Sequence, residues 1–301
     1  MHSPLRMGRT EWLLLLALSG LWGASFFFYK VLDNALPVFT VVLGRVGLAA
    51  LALNLLLLAR RDPMTLTPKL WRDFLVLGLI NNAVPFTLFA WGETRIASGL
   101  AAILNATTPI FTILVAHFFT RNEKLSWGKS FGVLFGIAGV GVLVGPSVIT
   151  ASRDLPAEAA CLLAALSYGF GSVFGRRFAG IKPLKVATGQ VTASAIILLP
   201  FCLVMDRPWL LPMPGMGVWG ALAGISLLST ALAYILFFRI LAVAGATNLV
   251  LVTFLLPIST LLLGTAFLGE HITPGAVMGM ALIGAGLAAI DGRAWKKLRG
   301  L

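Results

Sequence analysis

The sequence predicts an all-α membrane protein of ten transmembrane helices, built as two inverted five-helix repeats. Hydrophobic residues make up 58% of the 301 and charged residues only 11%, whereas a soluble domain carries about a quarter charged residues. That leaves too little polar side chain to clothe a water-facing surface, so a bilayer is the solvent. Apolar stretches long enough to cross it recur along the chain, and the second half of the chain repeats the first.

The stretches run over 12–31, 37–59, 72–92, 97–119, 127–147, 157–178, 184–205, 216–238, 245–268 and 274–292. A helix needs roughly 20 apolar residues to span the hydrocarbon, and only structures that satisfy their own backbone survive there. Barrel strands would be about half as long and would alternate; none of these segments alternates. The first stretch starts after Arg6 and Arg9 in the manner of a signal peptide. It continues through Trp22 and Phe26 to Phe28, which makes it a spanning helix rather than a cleaved leader.

Lysine and arginine set the orientation. With the N-terminus inside, eighteen of them fall at inner ends and four (Lys30, Arg95, Arg153 and Arg207) at outer ends, while Arg45 lies within a helix. This bias predicts a bacterial inner-membrane protein with both termini cytoplasmic. It also accounts for the net charge of +12 without a nucleic-acid partner. Trp12, Trp71, Trp127, Trp209, Trp219 and Trp295 sit near helix ends, as an interfacial belt does. Cys161 and Cys202 lie inside apolar runs and imply no disulfide framework.

Shifting the chain by 148 positions brings the halves into register. Ala17-Leu18-Ser19 falls on Ala165-Leu166-Ser167, Gly23 on Gly171, and Pro109-Ile110-Phe111-Thr112 on Pro257-Ile258-Ser259-Thr260. One residue of slippage then aligns Glu123 with Glu270, Gly128 with Gly275 and Gly132 with Gly279. The repeats are 12–149 and 155–293. Five helices each is an odd number, so the second copy enters the membrane from the opposite side. Inverted repeats of this kind characterise secondary transporters, whose sites lie near the midplane between the copies.

Several residues carry a family likeness: Trp22-Gly23-Ala24-Ser25-Phe26, Arg45, and the run from Ala242 through Gly245-Ala246-Thr247 and Pro257 to Phe267-Leu268-Gly269-Glu270. They resemble the EamA-type pattern of the drug/metabolite transporter superfamily, here twice in tandem. The first copy departs from it, with Thr120-Arg121-Asn122-Glu123 in place of Leu-Gly-Glu. The resemblance implies a ten-helix basket around a central cavity, and an exporter of amino acids similar to the bacterial aromatic amino-acid exporters.

Arg45, well inside the second helix, costs about 2.5–3.5 kcal/mol if unpaired at a helix centre. It either snorkels or caps a helix end, or its planar fork binds a substrate carboxylate. Lys30 is read as interfacial. Asn81, Asn82 and Asn105 are polar at depth, with Ser229, Thr230 and Thr253 as their counterparts. They either glue helices together or line a cavity. Pro85 frees a backbone carbonyl one turn back that a substrate could use. Trp22, Phe26, Phe86, Tyr168 and Tyr234 are mid-helix aromatics suited to an apolar-walled site. No acidic residue is expected near a helix centre, with Glu93 and Glu270 placed at ends, so no proton relay is read, and His117 is read as structural. Neither a cofactor nor a metal is implied. Gly128, Gly132 and Gly136, echoed by Gly275 and Gly279, predict close-packing scaffold helices and a homodimer through them.

The partners expected are thus a small-molecule substrate and the lipid bilayer. Efflux of hydrophobic drugs is the alternative transport reading. A membrane-embedded enzyme acting on lipids is the alternative from another class, and it lacks clustered acid, base or metal groups.

Overall fold

The computed structural model describes residues 8–64, 67–120, 127–149, 154–244, 249 and 252–291, and among these every regular element is helical. Glu123, the Gly245-Ala246-Thr247 motif and the chain beyond residue 291 lie outside the described residues. Where one axis continues, we group the helices as α1 (Arg9–Leu32), α2 (Val38–Ala59), α3 (Pro68–Glu93), α4 (Ser98–Phe119) and α5 (Trp127–Ile149). The second half gives α6 (Leu155–Phe178), α7 (Pro183–Asp206), α8 (216–244), α9 (Val252–Phe267) and α10 (Pro274–Asp291). Seven stretches among the described residues are long and apolar enough to cross a membrane, and shorter apolar helices cover Ser130–Val142, Leu255–Phe267 and Pro274–Gly286.

Local chemistry explains where the helices bend. Pro109 cannot donate to the carbonyl of Asn105, and the Thr108 hydroxyl bonds that carbonyl instead at 2.7 Å. The fourth stretch, expected to be continuous, therefore breaks at Ala106–Thr107. In α3, Leu79–Ala83 winds as a π-turn just before Pro85, and in α8 Gly224–Leu232 does the same. Shifted by 148, the first π-turn falls inside the second. A sequence duplication has become a duplicated helix defect, and such defects are frequent at functional sites.

Packing is exchanged between the halves in matched pairs. α1 runs along α9 as α4 runs along α6, and α2 meets α7 and the π-turn of α8 as α7 meets α3. α5 and α10 lie against each other. A Cβ added at Gly139 would sit 2.9 Å from the carbonyl oxygen of Gly279, and one at Gly286 would sit 2.5 Å from that of Gly132. Of the glycines expected on a close-packing face, Gly132, Gly136 and Gly279 thus lie against neighbours within one chain. Phe131, Leu134 and Phe135 of α5 and Val277 and Met278 of α10 face outward instead.

This close approach generates a test. Gly139→Val overpacks the α5–α10 seam, so a thermal melt of the detergent-purified protein should show a loss of about 1–3 kcal/mol. Gly141→Val, at a position open to space, should melt like the parent.

Candidate functional site

Arg45 of α2 is only 5% exposed and lies where the two halves meet. Its guanidinium donates from Nε to Thr230 Oγ1 of α8 at 3.0 Å, from Nη1 to the Tyr29 hydroxyl at 2.8 Å and from Nη2 to Ser25 Oγ at 3.4 Å. Its carbon sits 3.7 Å from the centre of the Phe86 ring of α3. Three of the five donors of a guanidinium are engaged, all by neutral oxygens. Burying a cation without a countercharge is costly, and here the cost is offset by three hydroxyl groups and an aromatic face.

The α8 π-turn helps to place that partner. Thr230 accepts from Arg45 while donating its own proton to the Ile225 carbonyl at 2.9 Å. Around the guanidinium, Phe26 packs edge-on against Phe89 at 5.5 Å, and Tyr168 of α6 stacks on Phe89 at 6.2 Å. Asn82 Nδ2 donates to the Tyr234 hydroxyl at 3.2 Å, whereas Asn82 Oδ1 and Ser229 Oγ are buried without a hydrogen-bond partner.

The sequence-derived candidates divide accordingly. Arg45, Phe26, Phe86, Tyr168, Asn82, Ser229 and Tyr234 fall in or beside this cage. Asn81 turns towards α7 and bonds Gln190 Oε1 at 3.0 Å. Trp22 packs on Phe237 at 5.7 Å. Asn105 is absorbed in the α4 break, where its carbonyl and side-chain oxygen accept from Thr108. The carbonyl that Pro85 leaves without a donor is that of Ile80, and the Ser167 hydroxyl already bonds it at 2.6 Å. It is therefore a helix–helix contact rather than a vacant acceptor. At Arg45, where the resemblance implies a central cavity, the Thr230, Tyr29 and Ser25 hydroxyls and the Phe86 ring lie against the guanidinium. A cavity of about 230 Å³ lies instead towards one end, lined by Met64, Leu70, Phe74, Gly180, Ile181, Lys182 and Lys185.

Sequence reasoning missed Tyr29, Ser25 and Phe89. Tyr29 and Ser25 sit four and eight residues before Asp33 on the α1 face that meets Arg45, a spacing legible only once the partner helix is known. Both ends of the bundle also carry bonds between the halves. Glu270 accepts from Ser98 N at 2.7 Å, Ser98 Oγ at 3.0 Å and Gly99 N at 3.1 Å, and Asp206 Oδ2 accepts from Thr40 N at 2.6 Å and Thr40 Oγ1 at 2.9 Å. Neither α2 nor the start of α4 has a side-chain cap of its own, so carboxylates from the other repeat satisfy these N-termini and oppose their dipoles. At the opposite end Asp62 bridges Lys182 at 2.7 Å and Lys185 at 2.8 Å. Those two lysine bonds hold its carboxyl below the usual carboxylate range.

A duplicated helical bundle closed on a buried arginine is the setting in which the comparisons with known proteins are informative. The EamA-like transporter family matches residues 10–145 and 155–290. The chain belongs to that family. The EamA pattern thus covers both repeats, and this EamA-like protein is a multi-pass membrane transporter rather than an enzyme. It is 24% identical over 275 residues to the "uncharacterized transporter YoaV" of Bacillus subtilis (strain 168), covering 91% of this chain and 94% of that one. A "probable terminal-alkyne amino-acid exporter" of Streptantibioticus cattleyicolor is 25% identical over 272 residues, covering 86% of this chain and 89% of the other. One solved crystal structure superposes with a TM-score of 0.67 at 19% identity, over 93% of this chain and 96% of that one, which shows a shared fold.

Lys30, expected at the interface, is tied to the end of α3 and the turn that follows it. It donates to the backbone carbonyls of Glu93 and Ile96 and lies 3.9 Å from Asp33. Burial pushes the Asp33 carboxyl up to about 6 from 3.8, against the pull of Lys30. A raised carboxyl binds its proton more tightly in the folded state, so its contribution is most favourable below 3.8 and is lost as pH rises through about 6. Asp33→Asn removes that dependence. Melting curves should show the variant gaining on the parent above pH 6, with the gap shrinking as the buffer falls towards pH 4.

Proposed function

We propose that this EamA-like transporter exports amino acids, aromatic or other neutral ones, or closely related metabolites by alternating access, with Arg45 holding the substrate carboxylate. The reading rests on one observation: a buried guanidinium at the junction of the repeats, with neutral partners and no carboxylate among them. A carboxylate would supply the missing charge through a bidentate contact. The rings of Phe26, Phe86, Phe89 and Tyr168 would receive an apolar or aromatic side chain, and Asn82, Ser229 and Tyr234 would meet polar groups. Trp22, Asn81 and Asn105 would act from the periphery. The relative described as an amino-acid exporter supports the substrate class.

On this reading ten helices span the inner membrane, with the second repeat inverted and both termini cytoplasmic. The structure would then be a closed form, and opening at either end would break the Glu270 and Asp206 caps or the Asp62 bridges. Efflux of hydrophobic drugs is the second reading, favoured by the aromatic walls. It differs in needing no carboxylate on the substrate.

Proteoliposomes loaded with labelled phenylalanine, leucine or alanine separate the two readings. Efflux by the parent should exceed that by empty liposomes, and phenylalanine methyl ester, which lacks the carboxylate, should not compete. Arg45→Gln should slow efflux about tenfold to a hundredfold, the scale of a lost charge-assisted bond, and Arg45→Lys should fall between. A folded Arg45→Gln variant with parental efflux would refute the carboxylate role, and a flat panel would sink the amino-acid assignment. Independently, a C-terminal phosphatase fusion should stay inactive and a C-terminal fluorescent fusion should be bright, as a cytoplasmic end requires.

A further inference from the structure

Glu93 is the last residue of α3, and its side chain is fully buried. Neither of its carboxyl oxygens has a hydrogen-bond partner. Lys30 is the adjacent cation, but its ammonium is directed at the backbone carbonyls of Glu93 and Ile96 and is shared with Asp33. One lysine thus stands between two carboxyl groups and neutralises one of them. A carboxylate stripped of water with both oxygens unbonded is among the costliest states a side chain can adopt, and buried acids of this kind in membrane proteins mark proton pathways.

We propose that Glu93 is a proton-binding site of the transport cycle, holding its proton in this closed form and giving it up when the outer ends of α1 and α3 part. The step is a simple ionisation: the Glu93 O–H bond breaks, the proton passes to water, and the carboxylate left behind pairs with the Lys30 ammonium released from the Glu93 and Ile96 carbonyls. Closure reverses it.

Geometry ties the site to Arg45. Glu93, Phe89, Phe86 and Asn82 succeed one another at four, three and four residues, which places them on one face of α3. Phe86 on that face carries the guanidinium. On α1, Tyr29 bonds Arg45 while the next residue, Lys30, closes over Glu93. A movement of α1 that loosens the arginine cage therefore exposes the carboxyl as well. The charged and titratable groups facing it are Tyr29, Lys30 and Asp33 at the end of α1, Arg45 of α2, Cys161 of α6 and Glu270 before α10.

The proposal rests on the transport reading for its flux measurement alone, and two measurements test it. Infrared difference spectra of the purified protein in lipid at neutral pH should contain a protonated-carboxyl band that Glu93→Gln removes. In proteoliposomes with a tenfold acid-inside proton gradient, labelled phenylalanine should accumulate towards about tenfold for one-for-one exchange, and in Glu93→Gln it should stay at the external level. If Glu93→Gln does not fold, Glu93→Asp replaces it, and the band should then shift rather than vanish. An unchanged spectrum in the variant, or gradient-driven accumulation equal to the parent, overturns the proposal. A Glu93-dependent band with no phenylalanine flux in the parent supports the proton site and counts against the amino-acid reading, so the two fail separately.

Discussion

A backbone carbonyl or amide that loses its helical partner inside a bilayer has no water to turn to, and most of this architecture follows from that constraint. At several bends, helix starts and close approaches, a side chain supplies the missing bond. The Ile80 carbonyl freed by Pro85 takes the Ser167 hydroxyl, and the Asn105 carbonyl freed by Pro109 takes that of Thr108. At glycine contacts a hydroxyl from the facing helix reaches the backbone: Ser194 bonds the Gly78 carbonyl at 2.9 Å and Ser226 that of Gly44 at 3.2 Å. The helix starts at Thr40 and Ser98 are completed by acids from the other repeat. Because so many of these donors and acceptors come from opposite repeats, the two copies hold each other together through the bonds each backbone lacks.

Charge follows a different logic. The acids at helix starts and the lysine at the end of α3 complement local dipoles and leave little unspent. Arg45 is the exception. Its partners are hydroxyls and a ring, all neutral, so the junction of the repeats keeps a net positive charge in a low-dielectric setting. In such surroundings an anion is attracted far more strongly than in water. A few residues away on the neighbouring helices, Glu93 is the reverse case, an acid with no bonded partner. Arg45 and Glu93 thus both lie buried without a bonded countercharge among the described residues, and Phe86, whose ring carries the guanidinium, shares α3 with the Glu93 carboxyl.

The repeat also shapes what can move. Contacts between α1 and α9, and between α4 and α6, are related by the duplication, as are those of α2 with α8 and α7 with α3. α5 and α10 form a pair of their own, with backbones in contact through glycine. Rigid glycine-packed pairs resist separation because any gap forfeits dispersion contacts along the whole seam, whereas the π-turns of α3 and α8 give the inner helices points at which to flex.

Composition and spacing along one chain suffice for much of this architecture. Apolar length and lysine–arginine bias place the helices, with α3, α6 and α7 beginning and ending within a few residues of expectation. The 148-residue register gives the duplication, and Arg45 stands out because a charge in an apolar run is costly wherever the helix lies. Which residues meet depends on how the helices cross. Tyr29, Ser25 and Thr230 became the arginine cage because the consecutive helices α1 and α2 meet α8, which lies some 185 residues along the chain, while Trp22, Asn81 and Asn105, equally polar or aromatic and equally deep, were turned to other neighbours. Glu93 shows the limit most plainly. Position along a helix says whether a residue is near its end, as it did for Glu93, but burial depends on what folds over it, and here the carboxyl is fully buried, with Lys30 bonded to the carbonyl of the same residue.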